Sequence, residues 1–428
     1  MTMAEQGAST VVPRLRFPEF REAPSWEPCA LIQLADERVK WSFAGGPFGS
    51  NLKASDYTSN GVRIIQLQNI GDGEFLTDYR IYTSTSKADE LLSSNIFPGE
   101  ILLSKMGDPV GRACIVPEIE ERYVMCSDGI RLVVDVRKFS RDFAFFAINF
   151  DGFRRRVEAS ATGSTRKRIG LDTLKQLSLD VPGLPEQQKI ADCLTSLDEV
   201  IAAQGRKVEA LKAHKRGLMQ QLFPREGETR PSLRFPEFGD APEWDATSVG
   251  VWSKSFSGGT PPTTRADYYG GEIPFIRSAE IGSAKTELSL TQTGLKASSA
   301  KLVDAGDVLL ALYGANSGDV ALAQTPGAIN QAILCIRPNG SKAFLYHYLT
   351  AIQPWLVATF LQGGQGNLSG EIVKSVGIRV PSSEEQQRIA DCLSSLDTQI
   401  TAETHQLAAL KTHKQGLMQQ LFPAPEAA

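Results

Sequence analysis

The sequence is poor in the residues that build catalytic and metal sites. Its 428 residues include 6 cysteines and 4 histidines. Cys29, Cys114, Cys126, Cys193, Cys335 and Cys392 are scattered, with no CxxC pair and no histidine at metal-ligand spacing. That pattern excludes a readable zinc site or disulfide framework and fits a reducing, cytoplasmic compartment. No apolar run reaches the roughly 18 residues of a membrane span. The segment 1–13 lacks the basic start and apolar stretch of a secretory signal and reads as a short disordered lead. There is no GxxxxGK[ST] loop for an ATP-driven motor, and no strand–GxGxxG–helix signature for S-adenosylmethionine or a dinucleotide. Thr260-Pro261-Pro262-Thr263 lacks the Asn/Asp and aromatic neighbours of an amino-methyltransferase site and reads as a turn. Carboxylates are plentiful but form no nuclease-like cluster. Positive charge is also in short supply. The net charge is −4 and the pI about 5.8. A dedicated DNA binder is usually basic, so any nucleic-acid role must rest on local patches or on partners that share the electrostatic load.

What the chain does contain is a repeat. Leu15-Arg16-Phe17-Pro18-Glu19-Phe20, followed by Trp26, returns as Leu233-Arg234-Phe235-Pro236-Glu237-Phe238, followed by Trp244. The run 186–224 returns at 385–423, and Gly217-Leu218-Met219-Gln220-Gln221-Leu222-Phe223-Pro224 recurs letter for letter as 416–423. The layout is A–B–A′–B′, with diverged A parts and nearly unchanged B parts. Segments that stay alike keep one shared job, and segments that drift perform different versions of one job.

The B parts predict long helices. Ile190, Leu194, Leu197, Ile201, Val208, Leu211, Leu218 and Leu222 fall on alternating steps of four and three residues, interrupted by Gln204 and Lys215. Ile389, Leu393, Leu396, Ile400, Leu407, Leu410, Leu417 and Leu421 repeat the pattern, interrupted by Glu403 and Lys414. Such heptad seams predict a coiled coil in which each copy is the other's natural partner, the polar interruptions helping to fix register. Pro224 and Pro423 stop the helices. His214 and His413 are repeat-equivalents on these helices and predict an exposed face. The A parts read as mixed α/β and strand-rich, with short runs such as 62–65, 101–103 and 130–134 in the first copy and 273–276, 308–310 and 333–336 in the second. The stretches 141–157 and 343–360 predict helices.

The A–B–A′–B′ layout, the "EQQ-K/R-IADCL-SLD" helix openings and the "GLMQQLFP" endings resemble the specificity subunit of Type I restriction–modification enzymes. The resemblance runs from about Leu15 to Pro423. Gly258-Gly259-Thr260-Pro261, the run 268–277, Gly306-Asp307-Val308-Leu309 with Tyr313-Gly314, Asn330-Gln331, and 363–369 are similar to segments of target-recognition domains in that family. The first copy follows less literally, through 46–50, Gln68-Asn69-Ile70, 99–102 and 163–165. The resemblance implies an α+β fold with a pseudo-twofold internal repeat. Target-recognition domains at 14–184 and 232–383 would be separated by two long antiparallel coiled-coil helices, 185–224 and 384–423, with a linker at 225–231 and a tail at 424–428. Each domain would read one half of a split, asymmetric sequence on double-stranded DNA, and the helices would act as a ruler. Two copies of an adenine methyltransferase subunit and an ATP-dependent restriction motor subunit would dock here. S-adenosylmethionine and ATP would sit on those partners, and this chain would bind no cofactor and perform no catalysis. The competing reading is a coiled-coil scaffold whose diverged domains bind proteins, which the acidic pI favours.

Affinity for DNA needs Lys/Arg near phosphates, and sequence reading needs forked donors and acceptors at base edges. The strongest cationic patch joins Arg154-Arg155-Arg156 to Ser164-Thr165-Arg166-Lys167-Arg168. The second copy has Gln362, Gln365 and Asn367 at the corresponding loop. Aligning the copies pairs Gln66 with Arg277, Lys105 with Leu312, Asp108-Pro109 with Ala315-Asn316, and Ser127-Asp128 with Asn330-Gln331. Differing polar residues at matched loop positions suit two domains that read different bases. Lys53 and Arg265 are candidate phosphate contacts. Tyr313 either contacts DNA or covers the core.

Overall fold

The computed structural model describes residues 11–47, 49–164, 166–360 and 367–423. Two compact units emerge. The first comprises residues 1–203 and 407–428, the second residues 204–406. Among the described residues, no helix is long and apolar enough to cross a membrane.

In the first unit, β1 (Glu27–Ala30) pairs antiparallel with β11 (Ser178–Val181). A second sheet has the order β2 (Phe43–Gly45), β10 (Gly129–Leu132), β7 (Ile101–Ser104), β8 (Ala113–Ile115). A third runs β3 (Tyr57–Thr58), β5 (Ile81–Thr83), β4 (Val62–Ile65), β9 (Tyr123–Met125), β6 (Asn95–Ile96), with β4 and β9 parallel. The helices are α1 (Thr85–Glu90), α2 (Arg141–Asn149), α3 (Asp151–Ser160) and α4 (Leu171–Gln176), before the long α5 (Leu184–Leu222).

The second unit repeats this plan. Its β12 (Asp245–Ser248) pairs with β21 (Gly377–Val380). One sheet orders β13 (Ser253–Ser257), β20 (Ile333–Pro338), β17 (Val308–Ala311), β18 (Val320–Leu322). Another orders β15 (Leu288–Leu290), β14 (Tyr269–Ile276), β19 (Gly327–Ile329), β16 (Lys301–Val303), with β14 and β19 parallel. Its helices are α6 (Val249–Trp252), α7 (Gln292–Lys296), α8 (Lys342–Phe360) and α9 (Gly370–Ser375); of the long α5 and α10 (Ser383–Leu421), residues 204–222 and 383–406 belong to this unit and the rest to the first.

The central strands are apolar on both faces because both faces are covered. Ile101 and Leu103 of β7 face the helix-side core with Phe143 and Ile148, while Leu102 faces the other sheet with Ile65 and Tyr123. In β17, Val308 and Leu310 face the helices and Leu309 and Ala311 the neighbouring sheet. This is the two-residue period of a strand buried on both sides.

The predicted helix over 141–157 is broken at Phe150, which adopts φ −70°, ψ 140° between α2 and α3. Two side chains account for the break. The Asn149 amide donates to the Ala113 carbonyl and accepts from the Ala113 amide, both at 3.1 Å. The Phe150 ring stacks on Phe422 at 5.1 Å. In the second unit α8 runs on through Pro354.

The long helices carry the seam inward. All sixteen apolar seam positions are buried or half-buried. The polar interruptions find polar partners on the facing helix within each unit. In the first, Lys414 Nζ contacts Asp198 at 2.6 Å. In the second, Lys215 Nζ contacts Asp397 at 2.5 Å, and Gln204 Nε2 donates to the Glu403 carboxylate at 2.7 Å. Residue numbers fall along α10 as they rise along α5, so the pairing is antiparallel.

The duplicated "EQQ" openings lock each helix to its domain. Glu186 accepts two hydrogen bonds from Arg16 at 2.7 and 2.6 Å. Glu385 does the same from Arg234 at 2.8 and 2.7 Å. Gln187 accepts from the Ser140 amide at 3.0 Å and donates to the Pro182 carbonyl at 2.8 Å. Gln386 repeats this with Ser341 at 3.1 Å and Pro381 at 2.9 Å. The "LFP" endings also pack inward. Phe422 lies among Trp26, Phe143 and Phe150, and Phe223 among Trp244, Phe344 and Tyr348. The conserved halves of the repeat are therefore the parts that hold each unit together.

Candidate nucleic-acid interface

In the first unit the loops that follow β4, β7 and β9, with the loop around 166, enclose a cleft of about 650 Å³. Gln66, Ser127, Asp128 and Arg166, predicted from scattered positions, all line it. Gln66 is half-buried and donates from Nε2 to the Tyr57 hydroxyl at 3.1 Å. Ser127 and Arg166 are exposed. Lys105 stands beside the cleft. Its amide donates to the Asp128 carbonyl at 2.6 Å and its carbonyl accepts from the Ile169 amide at 3.0 Å.

The cationic patch is more neutralised than its sequence suggests. Arg168 Nη2 lies 3.2 Å from an Asp128 carboxylate oxygen. Lys167 pairs with Glu158. Arg154 pairs with Asp72 at 2.8 Å. Ser164 is exposed, and Thr165 lies outside the described residues. Lys53 is exposed next to Leu52, which lines the cleft, and its amide donates to Asp56 at 2.7 Å.

In the second unit Arg265 pairs with Asp267 at 2.7 Å and lies over the Tyr268 ring at 4.6 Å. Arg277 donates to Glu280 at 3.0 Å and contacts Glu287. Those two carboxylates raise the Arg277 pKa above its ordinary value. Tyr313 is 37% exposed. Asn316 donates to Asp319 at 3.1 Å. Gln331 is exposed and accepts from the Thr260 hydroxyl at 2.6 Å. Asn330 is half-buried, its side chain accepting from the Ala332 amide at 3.1 Å, and Asn367 is exposed. Gln362 and Gln365 lie outside the described residues.

Backbone register shows which positions correspond. Ile65 pairs with Met125 and Ile276 with Ile329. Gly129 pairs with Ser104 and Ile333 with Ala311. Gln66 therefore matches Arg277, and Lys105 matches Leu312. Gly111 and Gly318 each donate back to the end of β7 or β17, to Ser104 and Ala311. Both take the left-handed conformation, φ 75° and 94°, and a side chain there would strike Val157 or Val357. This fixes Asp108-Pro109 opposite Ala315-Asn316. The remaining pairing needs correction by one residue. Both registers place Cys126 with Asn330, Ser127 with Gln331, and Asp128 with Ala332. Matching by polarity had slid the alignment, whereas the ladders on either side of the turn leave no slack.

Arg112 is a residue that sequence reading missed. It lines the cleft and donates from Nη2 to the Leu67 carbonyl at 3.2 Å and from Nε to the Ile70 carbonyl. It ties the loop after β4 to the loop after β7. A lone arginine between two glycine-bearing turns carries no periodic signal, so only the fold reveals its role. Burial pushes the Cys114 and Cys335 thiols up to about 12, which leaves them inert as nucleophiles.

Comparison with known proteins agrees with this duplicated plan. A family model described as "Type I restriction modification DNA specificity domain" matches twice, at residues 54–213 and 244–412. A Methanocaldococcus jannaschii protein assigned as the MjaX type I restriction enzyme specificity subunit is 24% identical over 375 residues, 85% of this chain and 86% of that protein. The HindI specificity subunit of Haemophilus influenzae is 21% identical over 389 residues, covering 74% and 84%. The crystal structure of a type I restriction–modification S subunit from M. genitalium shares the fold, with a TM-score of 0.61 at 17% identity over 96% of this chain and 99% of that one. With both repeats matched and the fold shared, the chain belongs to the type I restriction–modification DNA specificity family.

Proposed function

We propose that each unit reads one half of a bipartite, asymmetric DNA target for a type I restriction–modification complex. The observation that carries this reading is the repeated backbone frame at the strand ends. Equivalent backbone positions present Gln66, Ser127 and Asp128 in one unit and Arg277, Gln331 and Ala332 in the other. A common frame with different hydrogen-bonding groups is what two readers of different bases require. The long helices then act as the ruler for an unread gap between half-sites.

The chain performs no chemistry in this account. Two adenine methyltransferase copies, carrying S-adenosylmethionine, and an ATP-dependent restriction subunit dock on it. A related structure described under complex assembly of the type I R-M system, TM-score 0.57, supports an assembled state. With a net charge of −4 on the chain, affinity draws on its local cationic patches and on partners that share the electrostatic load. DNA binding by the chain assembled with its methyltransferase should weaken steeply with salt, by about 0.9 logarithmic units of affinity per decade for each phosphate contacted. Binding indifferent to both salt and sequence would favour the protein-binding scaffold instead.

A further inference from the structure

We propose that Asp128 and Arg168 form one reading element for a G·C base pair in the half-site of the first unit. The inference rests on the DNA-reading function above. Arg168 Nη2 sits 3.2 Å from the Asp128 carboxylate, and Asp128 lines the cleft that also holds Gln66 and Arg166. A guanidinium is a planar fork that matches guanine O6 and N7, and a carboxylate accepts from the cytosine N4 amino group. The two partners of one G·C pair thus ask for one arginine and one carboxylate side by side. The ion pair presents both, with the fork already oriented by its acceptor.

The repeat argues against a purely structural role. The second unit makes the same backbone bonds without these charges. Leu312 donates to the Ala332 carbonyl at 2.8 Å and accepts from the Leu368 amide at 3.0 Å, where Lys105 donates to Asp128 and accepts from Ile169. By that register Asp128 corresponds to Ala332 and Arg168 to Asn367. These two backbone bonds therefore form with an alanine and an asparagine at these places. Stability gives no reason for the charges either. The side chains are 54% and 22% exposed, so water screens the pair and it adds little to stability. A carboxylate in a DNA-facing cleft also repels phosphates unless a base amino group or a cation meets it. Two charges absent from one copy and paired in the other mark a difference in what the two units read.

The test is adenine-methylation mapping in cells that carry the cognate methyltransferase subunit with the wild-type chain, Arg168→Ala, Arg168→Lys or Asp128→Ala. The wild type should yield a two-part motif. Both Arg168 variants should relax a single G·C position in one half, preference there falling roughly 10- to 100-fold, with the gap and the other half unchanged. Asp128→Ala should relax the same position. The lysine variant is the sharp arm, because it keeps the charge and loses the fork. Full G·C preference with Arg168→Lys would overturn the proposal. So would wild-type stringency in all variants, or complete loss of methylation by chains that still co-purify with the methyltransferase. A wild-type chain lacking any two-part motif would instead sink the two-reader function itself.

Discussion

The repeat supplies its own control for a buried histidine. His347 on α8 has no exposed side-chain surface. Its Nε2 meets the Ser394 hydroxyl at 3.1 Å, and its Nδ1 is buried with no hydrogen-bond partner among the described residues. Asp397 stands 3.9 Å away but is already engaged by Lys215, which also faces the ring. Burial first, and Lys215 second, pull the His347 pKa from 6.5 to about 3. A depressed histidine favours the folded state while it stays neutral. Below pH 6.5 the unfolded chain takes up the proton and the folded one does not, so stability falls as pH falls from 6.5 towards 3. Each pH unit in that window is worth about 1.36 kcal/mol, so pH 5 should cost the second unit about 2 kcal/mol relative to pH 6.5 and above. In the first unit the corresponding residue is Phe146, with Lys414 over its ring at 5.0 Å. His347→Phe should therefore remove the acid sensitivity. Hydrogen exchange of amides in β17 and β20, corrected for intrinsic rates, reads the opening energy at pH 7 and pH 5. Asp307 does not confuse the window. Burial alone would raise it, but Arg337 and Lys342 hold it at about 2. An acid-induced loss just as large in His347→Phe would show that His347 is not the source of the sensitivity.

Other consequences can be checked in the same way. Glu385→Ala leaves Arg234 buried without its acceptor, the two side chains being 1% and 10% exposed. The loss should be about 3–5 kcal/mol, confined to exchange of second-unit amides, and replacing both residues by apolar ones of similar volume should restore most of it. Phe422→Ala empties the space among Trp26, Phe143 and Phe150 and should destabilise the first unit by about 3–5 kcal/mol, seen as a lowered urea midpoint for its tryptophan signal. The chain without partners should bind DNA weakly; footprinting that shows nanomolar protection would contradict this.

Much of the architecture was legible because it depends on periodicity. The heptad seam from Ile190 to Leu222 lies within α5, and that from Ile389 to Leu421 within α10. Its polar interruptions were readable as register devices, and Lys215 and Lys414 do meet carboxylates across each pair. Runs such as Ile101-Leu102-Leu103 became central strands. What stayed hidden depends on contacts distant in sequence. The break at Phe150 is set by Asn149 reaching Ala113 and by Phe422 arriving from the far end of the chain. The roles of Glu186 and Gln187 require knowing that Arg16 and Ser140 lie beside them. Within the candidate site, residue type marked Gln66, Ser127, Asp128 and Arg166, and the fold gathered them. Charge counting could not show that Lys167 and Arg168 face Glu158 and Asp128. Nor could polarity alone place Ser127 opposite Gln331 rather than Asn330.

The central claim is that two diverged units on one repeated frame read two separate pieces of DNA. Mapping methylated adenines in cells that carry this chain with its cognate methyltransferase subunit tests it most directly. Two readers on a ruler should yield a two-part asymmetric motif separated by a fixed number of unread bases. Methylation with no such motif, or none at all while the two proteins co-purify, would contradict it.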